Sequence, residues 1–353
     1  MKKALLMIAL MLGSSMTVFA QKIDKNEAKQ LKAFLAMPAE KDGTNAQALK
    51  VTDINDITSI EGVTVENGHV TAINWKDKKL AGDLNLSGFT ALTKLDVSRN
   101  SLSSLSVSGD QSLAELNAGR NKLTGVELEG CSNLVNLQLY KNRLSNIDVT
   151  DVPLLQKLNV SSNLFVDLNV ANSSTLTTLN CQGNHLENLM VSGCSNLKNL
   201  YCGYNKLTSL NLFGVVNLTN LNIDDNQITT MIVSGLPSLS TFVCSDNNMT
   251  TLGVRDCKNL LDLVCSYNDL TTLDVSNCPN ILYVDCSYND LTQLNLSNQT
   301  FLQRLICNNN QLQMLDVSFD DALVYINCRY NQITDFRNVA TPNLRMIACQ
   351  WNY

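Results

Sequence analysis

The stretch Leu218-Thr219-Asn220-Leu221-Asn222-Ile223-Asp224-Asp225-Asn226-Gln227-Ile228-Thr229-Thr230-Met231-Ile232-Val233-Ser234-Gly235-Leu236-Pro237-Ser238 decides the fold. Leu218, Leu221 and Ile223 are apolar at offsets 0, 3 and 5, and Asn226 follows at offset 8. Ile228, Met231 and Val233 repeat the apolar spacing at offsets 10, 13 and 15. In an extended segment alternate side chains share a face, so the residues at offsets 3 and 5 point inward together. The same unit returns on both sides, as Leu113, Leu116, Ala118, Asn121, Leu123, Val126 and Leu128, and as Ile281, Val284, Cys286, Asn289, Leu291, Leu294 and Leu296. Asn100, Asn121, Asn142, Asn163, Asn184, Asn205, Asn226, Asn247, Asn268, Asn289, Asn310, Asn331 and Asn352 each stand 21 residues from the last. A fixed period of about 20–50 residues is the signature of a solenoid.

One such unit cannot fold alone. About six apolar side chains at ~1.5–3 kcal/mol each fall short of the ~20–40 kcal/mol of backbone entropy that ordering 21 residues costs. Stacked units add burial and a shared hydrogen-bond ladder. The asparagine is expected to be structural, since a side chain with both donor and acceptor can satisfy backbone groups where the chain turns inward.

The pattern resembles the leucine-rich repeat, L-x-x-L-x-L-x-x-N-x-L, from about Leu92 to Asn352. Within that family it is similar to the short bacterial class of 21-residue repeats, in which ten- and eleven-residue halves are nested. The resemblance implies a leucine-rich-repeat solenoid: a right-handed superhelix, mainly parallel β, of about 13 rungs of 21 residues. No helix of useful length fits between the half-rungs, so two short extended segments per rung are expected.

The front of the chain departs from the period. Residues 1–20 read as a cleavable signal peptide, with basic Lys2 and Lys3, an apolar run Ala4–Leu12 and a small-residue cleavage site at Val18-Phe19-Ala20. The mature chain then begins at Gln21 and carries a net charge of about −8, from 24 basic against 32 acidic residues. That balance argues against nucleic acid, whose recognition needs a basic face. The apolar run is too short to span a bilayer, and no cysteine precedes Cys131 to accept a lipid. The expected destination is the exterior, the cell surface or the periplasm of a Gram-negative bacterium. Residues 21–69 read as an N-terminal cap. Asp24 and Glu27 suggest a capping box for a helix over 24–37, and Asn67-Gly68 suggests the tight turn of a hairpin over 62–75. Residues 39–58 read as loop and short extended pieces. The solenoid is expected over 70–353, with an irregular first rung of about 22 residues in which Lys78 stands in the asparagine's place. Gly62-Val63-Thr64 and Gly68-His69-Val70-Thr71 are similar to the cap region of some plant-type leucine-rich-repeat proteins.

Twelve cysteines in an exported chain suggest disulfides, but their phase points elsewhere. Cys181, Cys202, Cys244, Cys265, Cys286, Cys307, Cys328 and Cys349 sit three residues before a ladder asparagine, and Cys131, Cys194, Cys257 and Cys278 ten after one. Vertical neighbours in a sheet lie ~4.8 Å apart, farther than the ~3.8 Å Cβ separation of a disulfide. They are expected to be buried free thiols that pack as small hydrophobes.

The outward positions differ between the two half-rungs. The second is monotonous: Thr271, Thr272, Asp274 and Ser276 recur as Thr292, Gln293, Asn295 and Ser297, and it reads as polar covering. The first carries Tyr140, Tyr201, Tyr204, Tyr267, Tyr283, Tyr288, Tyr325 and Tyr330, joined by Trp351. Aromatic residues are enriched at binding hot spots. This face is therefore the expected ligand-binding site, for a protein or glycan partner. The resemblance agrees, since internalin-like bacterial proteins act in adhesion and partner binding. A spacer that self-associates through its C-terminal end is the alternative. No enzyme is expected. His69 and His185 are the only histidines, no nucleophile or metal set accompanies them, and no cofactor motif is present.

Overall fold

The computed structural model describes residues 23–318, 320–338 and 341–352. The expected leader and Tyr353 lie outside them. Each rung turns inward where its apolar pair falls. Three-residue strands centre on the first inward position, as in Asn220–Asn222 around Leu221, and pair in parallel with the rungs on either side. The register is one period per step: Leu200 opposes Leu221, Leu221 opposes Phe242, and Phe242 opposes Leu263. These side chains are 0–1% exposed and form one column of a core that runs the length of the stack. The result is one continuous 15-stranded sheet along the first half-rungs, parallel after an opening antiparallel pair.

The ladder asparagines lace consecutive rungs together. The Asn226 carboxamide donates through Nδ2 to the carbonyls of Cys202 at 3.1 Å, Ile223 at 3.0 Å and Asp224 at 3.2 Å. Its Oδ1 accepts from the Leu207 amide at 2.9 Å. One side chain thus bonds backbone groups of its own rung and of the rung before it, and it is the partner of the buried Leu207 amide, which would otherwise have none. The pattern holds from Asn100, which accepts from the Leu80 amide, to Asn352, which accepts from the Ile333 amide, both at 3.0 Å. The first rung is longer. Ile73 opposes Leu95, a step of 22, and the Lys78 amide donates to Asn100 Oδ1 at 3.0 Å.

The second half-rungs form no continuous sheet. Ala81–Asn85, Ser101–Ser106 and Gly125–Glu127 make a three-stranded piece, and the other strands occur as separate pairs such as Asp167–Asn169 with Asn188–Met190. Near Leu210–Leu212 only an isolated bridge between Met190 and Asn211 remains.

At the front, helix α1 spans Lys25–Leu35, inside the expected 24–37. Asp24 caps it by accepting from the amides of Asn26 and Glu27 at 2.8 and 3.1 Å. Glu27 does not complete the capping box. Its carboxylate turns to the hairpin, bonding His69 Nδ1 at 3.0 Å and accepting the Val70 amide at 2.8 Å. The reciprocal box belongs to Thr44 and Gln47, at the head of a one-turn helix α2 over Asn45–Ala48 in the segment expected to be loop. Asn45 then ties α1 to the first rung, donating to Phe34 O and Ala81 O and accepting from the Ala81 amide. Strands β1 (Val63–Glu66) and β2 (His69–Asn74) form the hairpin, with both Asn67 and Gly68 at positive φ, 51° and 82°. Phe34 of α1 stacks on Trp75 at 5.8 Å between ring centroids.

Eleven cysteines are free and buried; Cys349, expected to be buried, is exposed because no described rung follows its own. Burial pushes the thiols of Cys202 and Cys278 up to about 12, so they pack rather than react. In the column ten residues after the asparagines, Cys131, Cys194, Cys257 and Cys278 donate to the carbonyls of Val107, Val170, Val233 and Val254 at 3.1–3.3 Å. Gln299 Nε2 makes the same bond to Val275 at 2.7 Å. Asp110 and Asp320 occupy this column at 0% and 1% exposure, with no well-aligned hydrogen bond to either carboxylate, although the nearby Phe89 and Gly88 amides offset part of the burial of Asp110. Burial pushes both up to about 7.

Candidate recognition face

The aromatic residues of the first half-rung fall into distinct vertical columns. Tyr283 and Tyr325 open their strands and Tyr201 closes one, so these rings stand on the sheet face, half-buried among neighbours. Tyr140 is half-buried on the following turn. Tyr204, Tyr267, Tyr288, Tyr330 and Trp351 immediately precede ladder asparagines and are the most exposed, from 43% at Tyr288 to 70% at Trp351.

This last column has a backbone feature that residue spacing does not reveal. Arg99, Arg120, Lys141, Ser162, Gly183, Tyr204, Asp225, Asp246, Tyr267, Tyr288, Asn309, Tyr330 and Trp351 all have φ between +50° and +65°. The left-handed turn sends the amide of each of the first twelve to a carbonyl in the next rung, as Tyr204 N donates to Asp224 O at 2.7 Å. For a residue with a Cβ this conformation costs about 1–2 kcal/mol, and glycine takes it freely. Gly183 is the column's one glycine; the other twelve positions hold side chains, five of them aromatic. Bulky residues at positive φ are uncommon and persist where the surrounding structure over-determines the backbone, as the inter-rung hydrogen bond does here.

The rings and charges on this face interact. Tyr267 and Tyr288 stack at 4.3 Å between centroids and 7° between planes, and Tyr330 and Trp351 stack at 5.8 Å and 5°. Arg304 lies between Tyr283 and Tyr325, with its guanidinium carbon 5.8 and 4.8 Å from their centroids. Higher up, Asp224, Asp225 and Asp246 cluster with Tyr204. Burial, followed by Asp246 and Asp225, raises Asp224, while the Tyr204 hydroxyl opposes that rise. Burial and then Asp225 raise Asp246. The Asp224 charge in turn raises Tyr204. The ion pairs among the described residues join His69 to Glu27, Lys78 to Glu61, Lys94 to Glu115 and Arg337 to Asp335, and none reaches these carboxylates.

The opposite flank corrects an expectation. The outward positions Thr271, Thr272, Asp274, Ser276, Thr292, Gln293, Asn295 and Ser297 are polar as read, but Met190, Phe213 and Ile232 are 51%, 80% and 62% exposed. The reason is local, because these rungs place apolar residues where others carry Asp, Asn or Ser. Hollows of about 370 and 440 Å³ also lie on that flank, lined by residues such as Asn169–Leu176 and Ser209–Phe213. His185 and Glu187 are exposed on a turn. Among the described residues no three His, Cys, Asp or Glu side chains converge as metal ligands would.

The family model for the Leucine Rich Repeat matches residues 217–239, the stretch around Asn226 whose carboxamide bridges two rungs. The chain is a leucine-rich-repeat solenoid. Among solved structures, the repeat stack is similar to the functional domain of InlJ from Listeria monocytogenes, at 26% identity and TM-score 0.59, covering 77% of this chain and 69% of that one. That domain includes a cysteine ladder; in this chain Cys244, Cys265, Cys286, Cys307, Cys328 and Cys349 recur at 21-residue steps. The solenoid also shares its fold with a leucine-rich-repeat protein of Leptospira interrogans, at 23% identity and TM-score 0.54 over 72% of this chain and 86% of that one. The internalin InlF of Listeria monocytogenes shares it at 19% identity and TM-score 0.53, over 90% and 94%. No curated protein matches the sequence. Leucine-rich-repeat proteins generally mediate protein interaction, and no helix among the described residues is long and apolar enough to cross a membrane.

Proposed function

We propose that this solenoid is an exported, non-catalytic recognition protein that binds a protein or glycan partner through the aromatic face of its first half-rungs. The observation that carries the reading is the exposed column Tyr204, Tyr267, Tyr288, Tyr330 and Trp351, in which large rings occupy a backbone conformation that glycine would take at lower cost. Such rings bring large contact area with a polar tip, on a sheet stiffened by an unbroken ladder. Export rests on the leader at 1–20; N-terminal sequencing of secreted material should return Gln21. The binding test is capture of partners from bacterial and host surface extracts. Tyr267, Tyr288 and Tyr330→Ser together should abolish capture and leave the thermal midpoint and circular dichroism of the wild type. Undiminished capture by that folded variant would move the site elsewhere.

A further inference from the structure

The column of left-handed positions runs Tyr204, Asp225, Asp246, Tyr267 over four successive rungs. Three strand spacings put the two rings ~14 Å apart, with the two carboxylates exposed between them. Tyr204, exposed on its turn, forms one wall, and the Asp224 charge on the next rung raises its hydroxyl. Tyr267 forms the other and is itself backed by Tyr288, stacked at 4.3 Å. Asp224 and, one rung below Asp246, the strand residue Asp262 add further acidity. None of these four aspartates is in an ion pair. The floor is therefore a concentrated negative field with no ion-pair partner among the described residues, bounded by the two tyrosines.

Farther down the same face the protein shows what its tyrosine pairs accept. Between Tyr283 and Tyr325 the intervening rung supplies Arg304, whose guanidinium lies over both rings. A cation placed over an aromatic face is attracted by the ring's quadrupole, and desolvation strengthens the attraction. The trough between Tyr204 and Tyr267 is likewise bounded by tyrosines, three rungs apart where Tyr283 and Tyr325 are two, and it holds carboxylates where Arg304 would sit. It lacks the cation.

We infer that the Tyr204–Tyr267 trough takes an arginine-bearing segment of a partner polypeptide, laid along the solenoid axis, with guanidinium groups paired to Asp225 and Asp246, each beside the tyrosine of the adjoining rung. The inference rests on the recognition reading above and narrows it to a basic protein segment. The backbone suits reversal of the site, because Arg99 and Arg120 already occupy this column at φ 59°, so Asp225→Arg should fold.

The probe is a fluorescein-labelled (Gly-Arg)5 peptide, with a second peptide in which citrulline, flat but uncharged, replaces each arginine. Anisotropy titration should show saturable binding of the arginine peptide and at least tenfold weaker binding of the citrulline peptide. Asp225→Asn with Asp246→Asn should weaken binding at least tenfold and flatten its salt dependence. Tyr204→Ser with Tyr267→Ser should weaken it several-fold with the salt slope kept, which a merely acidic patch would not do. Asp225→Arg should abolish it. The inference is overturned if the arginine peptide does not bind by about 1 mM, if citrulline binds as well, or if either double variant binds like wild type. It is also overturned if a neutral oligosaccharide binds and is lost in Tyr204→Ser with Tyr267→Ser, which assigns the trough to a sugar. If Tyr267, Tyr288 and Tyr330→Ser ends partner capture while Asp225→Asn with Asp246→Asn retains it, the face stands and the basic partner falls. If the tyrosine variant captures normally, the recognition reading itself falls.

Discussion

The two flanks of each rung come from the same repeat, yet they are held differently. On the first, 15 strands pair without a break, and each rung's asparagine bonds backbone groups of its own rung and the preceding one. On the second, pairing lapses into short pieces. A chain needs one continuous ladder to fix its rung spacing, and the other flank only has to return the chain. The stiff flank is the one on which aromatic residues are presented in register; the loose flank carries Phe213, Met190 and Ile232 without an aligned column of rings.

The sharpest way to break this contrast uses two phenylalanines. Phe242 is 0% exposed on the continuous sheet, and Phe213 is 80% exposed on the broken flank. Phe242→Ala should cost about 3–5 kcal/mol, and Phe213→Ala should stay within about 0.5 kcal/mol, both read from urea midpoints. Similar midpoints would deny that the two flanks differ in energetic role.

The next largest effect is a dependence on pH. Asp110 and Asp320 are pushed up to about 7 by burial, with Glu27 adding to Asp110, and Asp316 and Asp321 to Asp320. Their folded values lie above the unfolded one near 3.8, so the native state holds their protons longer. Stability should therefore fall as pH rises from about 4 through 7, by roughly 2–4 kcal/mol per site. Below pH 4 their contribution is complete. His69, raised chiefly by its bond to Glu27, acts in the same direction, losing its contribution as pH rises through its folded value. Asp24 and Asp83, lowered by hydrogen bonds from backbone amides and from Ser103 and Ser104 respectively, lose stability only in acid. Asp320→Asn supplies the donor that Gln299 supplies one rung earlier and should flatten the fall between pH 4 and 7. An unchanged profile in Asp110→Asn with Asp320→Asn would place the titration elsewhere.

Asn226→Ala should cost about 1–3 kcal/mol for the buried Leu207 amide it orphans; a midpoint equal to wild type would remove the ladder role. The smallest effect concerns the left-handed column. Asp246→Gly relieves the Cβ penalty at the expense of unfolded-chain entropy and should raise stability by about 0.5 kcal/mol. A loss of 1 kcal/mol or more would show that the column is not strained.

The fold was legible because burial has to recur. Leu218, Leu221 and Ile223 must point inward in every rung, so their spacing announces the solenoid. The hairpin was legible because Asn67-Gly68 supplies two residues suited to positive φ. The Glu27 contact was not, since a local capping box and a distant amide at Val70 compete for one carboxylate and only packing decides between them. Helix α2 was missed because it spans a single turn of Asn-Ala-Gln-Ala, too short for any apolar period, although Thr44 and Gln47 carry the capping signal. Within the recognition face, the outward placement of the tyrosines followed from phase. The left-handed backbone beneath five aromatic side chains did not, because glycine, its usual mark, occurs at Gly183 alone. Phe213 was not legible because the outward second-flank positions over 271–276 and 292–297 are polar, and its own rung departs from them.

The most direct measurement sets one flank against the other. Partner capture from surface extracts would be compared between Tyr267, Tyr288 and Tyr330→Ser and a matched change on the broken flank, Met190, Phe213 and Ile232→Ser. The account predicts loss of capture in the first and full capture in the second, with both proteins folded. Capture that survives the tyrosine changes and disappears with the others would contradict it.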